Sequence, residues 1–364
     1  MLDSRNARYR RKYGLPPQPD SDRMTRRTLP VLGLAHELIT PTLRQMADRL
    51  DPHMRPVVSY HLGWSDERGR PVNNNCGKAI RPALVFVAAE AAGADPHSAI
   101  PGAVSVELVH NFSLVHDDLM DRDEHRRHRP TVWALWGDAM ALLAGDAMLS
   151  LAHEVLLDCD SPHVGAALRA ISEATRELIR GQAADTAFES RTDVALDECL
   201  KMAEGKTAAL MAASAEVGAL LAGAPRSVRE ALVAYGRHIG LAFQLVDDLL
   251  GIWGRPEITG KPVYSDLRSR KKTLPVTWTV AHGGSAGRRL AAWLVDETGS
   301  QTASDDELAA VAELIECGGG RRWASAEARR HVTQGIDMVA RIGIPDRPAA
   351  ELQDLAHYIV DRQA

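Results

Sequence analysis

The residues of this 364-residue chain best suited to chemistry are carboxylates set close together, in the run Asp117-Asp118-Leu119-Met120-Asp121. Asp117 and Asp121 are four apart, so on a helix they share one face, about 6 Å apart along the axis. Like charges at that spacing repel and destabilise a lone helix. The stretch before them is apolar (Val104, Val106, Leu108, Val109, Phe112, Leu114, Val115), which turns the pair toward an interior rather than open water. A helix C-terminus disfavours anions further. Bound divalent cations would offset these costs. Magnesium suits the pattern, because it takes one or two protein carboxylates and completes its shell with phosphate and water oxygens. Asp118 is placed to join them or to support them. A solvated acidic helix end would use the same residues, so the cluster alone leaves the choice open.

Basic residues shift the balance. Arg126 and Arg127 follow a short polar link, and guanidinium forks match diphosphate oxygens two at a time. A second acidic patch ends another apolar stretch. There Gln244 lies about one turn before Asp247 and Asp248, with Phe243 beside it. Gly260-Lys261, Asp266 and Lys271-Lys272-Thr273 come next, repeating the order of acids then bases. Lys206-Thr207 adds an ammonium and a hydroxyl, and Gly77-Lys78 with Arg81-Pro82 supplies cations near a helix start, where backbone N–H groups attract anions in any case. His110 lies two turns before Asp117 and shares its face. Carboxylates for a metal beside forks for phosphate describe a site for a substrate carrying two phosphates.

Positioning these groups takes long helices, and the sequence reads that way from Leu32 onward. Apolar residues recur at three- and four-residue spacing over about 100–121, 164–188, 196–221 and 228–252. Alternating β-branched runs are nearly absent, and turn residues fall between the helical stretches, as at Gly223-Ala224-Pro225 and Gly318-Gly319-Gly320. The expectation is an all-α domain over residues 31–364. Residues 1–30 differ, with eight Arg and Lys residues and prolines at 16, 17 and 19. They read as a disordered basic tail, either solvated or a docking arm for a partner. The net charge of −5 carries no nucleic-acid signature, and no unbroken run of 18 apolar residues suggests a membrane span. Four scattered cysteines (Cys76, Cys159, Cys199, Cys317) suggest reduced thiols and a cytoplasmic location.

In this order the motifs resemble the trans-isoprenyl diphosphate synthase (polyprenyl synthetase) family. The residues that carry the likeness are Gly77 to Pro82, Glu107, His110, Asp117 to Asp121 with Arg126-Arg127, and Gly181-Gln182 with Asp185. Lys206-Thr207, Phe243-Gln244, Asp247-Asp248, Gly260-Lys261, Asp266 and Lys271 complete it. The resemblance implies an isoprenoid synthase fold, with antiparallel helices around a deep central cavity, and a homodimer. It implies condensation of isopentenyl diphosphate with an allylic diphosphate of five, ten or fifteen carbons, with about three magnesium ions per site. By matching position, Asp117, Asp121 and Asp247 would bind metal. Arg126, Lys206, Thr207, Gln244, Lys261 and Lys271 would hold the allylic diphosphate, with Phe243 facing the cation. Lys78, Arg81, His110 and Arg127 would hold isopentenyl diphosphate.

Two positions depart from the family pattern. Gly251 stands where the second motif usually ends in aspartate, and His128 stands where a glycine usually follows the arginine pair. The first departure is expected to loosen the third ion. A bulky residue just upstream of the first motif tends to floor the product tunnel in this family. Phe112, with small Ser113 beside it, therefore points to a short product: C20 geranylgeranyl diphosphate first, C15 farnesyl diphosphate second. A class I terpene cyclase is the rival reading, but it needs no second-substrate residues. A regulatory subunit should have lost first-motif aspartates, and all three are present.

Overall fold

The computed structural model describes residues 29–72, 77–256, 262–295 and 303–361. The basic tail, Cys76 and Lys261 lie outside these residues. Helices follow one another as α1 (Pro30–Ala47), α2 (Met54–His61), α3 (Ile80–Ala91) and α4 (Ile100–Met120). A hairpin of β1 (His125–Arg126) and β2 (Arg129–Pro130) precedes α5 (Val132–Trp136), α6 (Asp138–Leu157), α7 (Val164–Glu189) and α8 (Leu196–Ala203). A π-helical turn over Glu204–Ala208 leads into α9 (Ala209–Leu221), and α10 spans Arg226–Trp253. The C-terminal part holds α11 (Ser265–Arg268), α12 (Leu274–His282), α13 (Gly284–Val295), α14 (Asp305–Gly318), α15 (Gly320–Ala340) and α16 (Asp346–Val360).

Two helices, α3 and α9, are apolar on nearly every side and almost wholly buried, as befits helices surrounded by others. They touch closely because Gly218 has no side chain: a Cβ there would lie 2.1 Å from the Val85 carbonyl oxygen. Gly102 brings α4 against α9 in the same way, since its Cβ would meet Val217 Cγ1 at 2.5 Å. Around this pair pack α4, α7 and α10. A second apolar cluster, with Ile252, Leu267, Val276, Leu290 and Ile315 among its members, unites α11 to α14 with the end of α10, while α15 and α16 join the main core.

The predicted helix over 196–221 is interrupted where the site needs it. A Cβ on Gly181 of α7 would lie 2.2 Å from Lys206 N, and one on Gly205 would lie 2.7 Å from the Glu177 oxygen. Two glycines thus let the wider turn press its backbone onto α7, which sets the direction of Lys206. π-turns of this kind recur at functional sites.

One helix, Asp138–Leu157, is long and apolar enough to cross a membrane by length and composition, although Asp146 interrupts its apolar run. It packs along α4, and 44% of its apolar window is buried inside the protein. Cys159, Cys199 and Cys317 are unpaired.

Candidate active site

The C-terminal end of α4 divides its three carboxylates between two jobs. Asp118 turns inward, only 2% exposed, and grips Arg126: the guanidinium Nε donates to Oδ1 at 2.7 Å and to Oδ2 at 2.9 Å. Burial pushes the Asp118 carboxyl up to about 6, against the pull of Arg126. Asp117 and Asp121 face two lysines instead. Lys206 Nζ lies 3.2 Å from Asp117 Oδ1 and 2.6 Å from Asp185 Oδ2, while Lys271 Nζ donates to Asp121 Oδ2 at 2.7 Å. Burial alone would lower both ammonium groups, but the carboxylates around them reverse the shift upward.

These residues fit divalent cations shared with a phosphorylated substrate. Asp117 Oδ1 is buried and accepts no hydrogen bond, with only the ion pair to Lys206 beside it. Among the described residues no three His, Cys, Asp or Glu side chains converge as a metal cage. An ion held here would take one or two carboxylates and complete its shell with phosphate and water oxygens, which is magnesium's usual arrangement.

The second patch, on α10, follows the same division. Asp247 is exposed, and its charge acts on Arg81. Asp248 is buried, accepts from Gln244 Nε2 at 2.7 Å and from Leu274 N at 2.8 Å, and so ties α10 to the start of α12. Burial pushes its carboxyl up to about 8. Gln244 is held in turn by Thr207, whose hydroxyl donates to Oε1 at 2.5 Å. Phe243, half-buried, packs on the main core beside them. At Gly251 the structure adds what the sequence concealed. A Cβ on that residue would lie 2.0 Å from Asp266 Oδ2 and 2.4 Å from its Cγ. The Asp266 carboxylate therefore occupies the space where a side chain at 251 would begin.

A second basic group gathers across from these acids. Arg81, near the start of α3, is pushed down to about 10 by burial, against the pull of Glu107 and Asp247. Its Nε is buried without a hydrogen bond. Burial holds His110 well below its usual range, with Arg81, Arg127 and Arg126 adding to the effect. Gly77 lies against the Arg127 guanidinium, its Cβ position 3.3 Å from Nη2, and exposed Lys78 follows it. Arg127 and His128 form the two-residue turn of the β1–β2 hairpin, at φ 52° and 62°. Positive φ at both centres marks a type I′ turn, where glycine is favoured at low cost. This is the physical reason a glycine suits the position that His128 fills.

The sequence matches the polyprenyl synthetase family over residues 66–315. The chain belongs to the polyprenyl synthetase family. Among its relatives, geranylgeranyl diphosphate synthase of Mycobacterium tuberculosis (strain ATCC 25618 / H37Rv) is 41% identical over 297 residues, covering 81% of this chain and 84% of that protein. Geranylfarnesyl diphosphate synthase of Aeropyrum pernix is 40% identical over 294 residues, covering 79% and 90%. A solved polyprenyl synthetase from Streptomyces coelicolor A3(2) superposes with a TM-score of 0.86 at 49% identity, covering 90% of this chain and 98% of that one. The all-α isoprenoid synthase fold and prenyltransferase chemistry follow from that membership.

Within this polyprenyl synthetase, the positions read as a chain-length floor sit on two sides of α4. Ser113 is one turn before Asp117 and donates its hydroxyl to the His110 oxygen at 2.7 Å. Phe112 is 5% exposed and meets His116 edge to face, with centroids 5.3 Å apart. His116 in turn hydrogen-bonds the Leu142 oxygen of α6 at 3.0 Å and fills the space above Gly145. Sequence reasoning missed Asp185, beyond its place in the motif, as the partner of Lys206, and it missed Asn111 and His61. Nothing in the spacing marks His61, which lies 50 residues before the asparagine it bonds.

Proposed function

We propose that this prenyltransferase condenses isopentenyl diphosphate with a short allylic diphosphate, releasing C20 geranylgeranyl diphosphate. The observation that carries the reading is the presence of two separate basic groups, one on each acidic patch. Lys206 and Lys271 lie on Asp117 and Asp121, while Arg81, Arg127 and His110 cluster on the other side, near Asp247. A cyclase acting on one diphosphate has no use for the second group. The names of the relatives, geranylgeranyl and geranylfarnesyl diphosphate synthases, support a short product.

In this reading Lys206, Lys271 and Arg126 bind the allylic diphosphate and take up charge as the C–O bond breaks. Thr207 and Gln244 orient that subsite through their hydrogen bond, and by its place in the motif Lys261 would bind the same diphosphate. Magnesium held by Asp117, Asp121 and Asp247, about three ions per site, would supply Lewis-acid neutralisation of the leaving group. Phe243 offers a ring face to the allylic cation. Lys78, Arg81, His110 and Arg127 hold isopentenyl diphosphate so that its double bond attacks, and the released diphosphate removes the proton. The exposed apolar side chains of α6, Leu142 and Leu143, support a homodimer that covers them. Three unpaired thiols support a reducing, cytoplasmic setting.

Product analysis with isopentenyl diphosphate and each of the C5, C10 and C15 starters, with and without magnesium, tests the reading. A C20 product that requires the metal is expected. A hydrocarbon formed from geranylgeranyl diphosphate alone would sink it in favour of a cyclase. Phe112→Ala should lengthen the product, and an unchanged length would remove Phe112 as the floor.

A further inference from the structure

Beside His110 the fold brings a second imidazole, at the end of α2. Its position is set by a clamp onto the β1–β2 hairpin. Arg129 Nη1 donates to the Tyr60 oxygen at 3.1 Å and Nη2 to the Ser65 oxygen at 2.7 Å, while the guanidinium stacks 4.0 Å from the Tyr60 ring centroid. Tyr60 OH donates back to the Pro130 oxygen at 2.8 Å. The turn that carries Arg127 and the helix end that carries His61 are thus fixed to each other.

The hydrogen bonds of His61 define its tautomer. Its Nε2 lies 3.1 Å from Asn111 Oδ1. The Asn111 amide nitrogen is already donating, to the Glu107 backbone oxygen at 2.8 Å and to Oε1 at 3.1 Å. The amide oxygen is therefore the acceptor, and Nε2 of His61 carries the proton. Nδ1 is left with a lone pair and has no hydrogen-bond partner among the described residues. The charges of Arg127, Arg126 and Arg129 on the hairpin side reach the ring, and the ring in turn acts on His110 of α4, next to the Asn111 it bonds. Burial and the three guanidinium charges hold the imidazole neutral, at about 3. A bare lone pair among three cations suits an anion only once it is protonated, and an entering diphosphate supplies the negative charge that makes protonation favourable.

We propose that His61 is a further ligand of the isopentenyl diphosphate subsite: it takes a proton from solvent as the diphosphate enters and donates Nδ1–H to a phosphate oxygen. The proposal rests on the assignment of Arg81, His110 and Arg127 to that substrate. The proton moves from a hydronium or buffer acid to Nδ1, and no covalent bond to the substrate forms.

His61→Gln retains a donor toward Asn111 but cannot become a cation. At pH 7 it should raise KM for isopentenyl diphosphate about tenfold, the scale of one charge-assisted hydrogen bond, with kcat and the allylic KM within twofold. The rise of that KM between pH 6.5 and 8.5 should be shallower than in the wild-type enzyme. A KM within twofold of wild type, or an equal pH slope, overturns the proposal. A readout without substitution uses histidine labelled with 15N in the full-length protein: adding isopentenyl diphosphate alone at pH 7.5 should move one imidazole to its imidazolium shifts. If none moves, the proposal fails even where His61→Gln folds poorly. Arg127→Gln separates the two levels. If it leaves KM for isopentenyl diphosphate unchanged, the subsite assignment itself is wrong. If it raises KM while His61→Gln does not, only the role of His61 falls.

Discussion

The two acidic patches share a plan and differ in how they complete it. In each, the first aspartate of an adjacent pair faces the site and the second is buried as a strut: Asp117 and Asp118 on α4, Asp247 and Asp248 on α10. The struts have different partners. Asp118 grips a guanidinium that itself belongs to the site, whereas Asp248 holds only neutral donors, Gln244 and the Leu274 amide. The outer carboxylate also differs. Asp121 comes from the same helix as Asp117, one turn on, while the place of a residue-251 side chain is filled by Asp266, from α11. The motif's last position thus carries no side chain along α10, and a carboxylate from α11 stands in that space instead.

The largest effect should distinguish the outward carboxylates. Asp117→Asn and Asp121→Asn are each expected to lower kcat on the order of 10³-fold, and Asp247→Asn on the order of 10²-fold, since electrostatic stabilisation of a leaving group has this scale. Steady-state kinetics with saturating magnesium checks the ranking, and an equal loss at Asp247 would erase the difference between the patches. Next come the struts. Asp118→Ala strands a largely buried guanidinium and should cost about 3 kcal/mol; Asp248→Ala strands two neutral donors and should cost about 2 kcal/mol. Denaturant melts in chelator measure both.

The pH dependence of those melts sharpens the point. The folded Asp248 carboxyl, at about 8, keeps its proton where the unfolded chain has lost it. Its contribution to stability is full below about pH 4, is lost as pH rises toward 8, and levels off beyond. Asp118 does the same over a window ending near 6. Asp248→Asn should flatten the fall between pH 6 and 8, and Asp118→Asn should not.

Gly251→Asp restores the familiar spacing in sequence but collides with Asp266. It must push the Asp266 carboxylate aside, a small move for the end of a side chain, so it should destabilise by about 1 kcal/mol or less, and the double variant Gly251→Asp/Asp266→Gly should remove that loss. A single variant destabilised by several kcal/mol would show that the Asp266 side chain cannot move aside. The smallest effect belongs to the hairpin. His128→Gly should stabilise by about 1 kcal/mol or less, because it relieves a left-handed φ of 62°, and calorimetry at constant pH reads the change.

Much of this molecule was legible in one dimension because its chemistry follows helical periodicity. Residues four and seven apart on α4 share a face whatever surrounds them, so Asp117, Asp121 and His110 could be grouped from spacing alone. The order of acids and bases, and the limits of α4, α7 and α10 to within a few residues, followed from the same rule. Tertiary structure decided the rest, because it concerns pairs whose separation along the chain carries no period. Lys271 reaches Asp121 across 150 residues, Lys206 reaches Asp185 only through a π-turn permitted by two glycines, and His61 meets Asn111 through a clamp built on Arg129. It also decided which aspartate of each pair is buried, since adjacent residues on a helix diverge by about 100° and only packing says which side is inside. Local spacing determined the ingredients and their helical faces; long-range packing determined which charges meet.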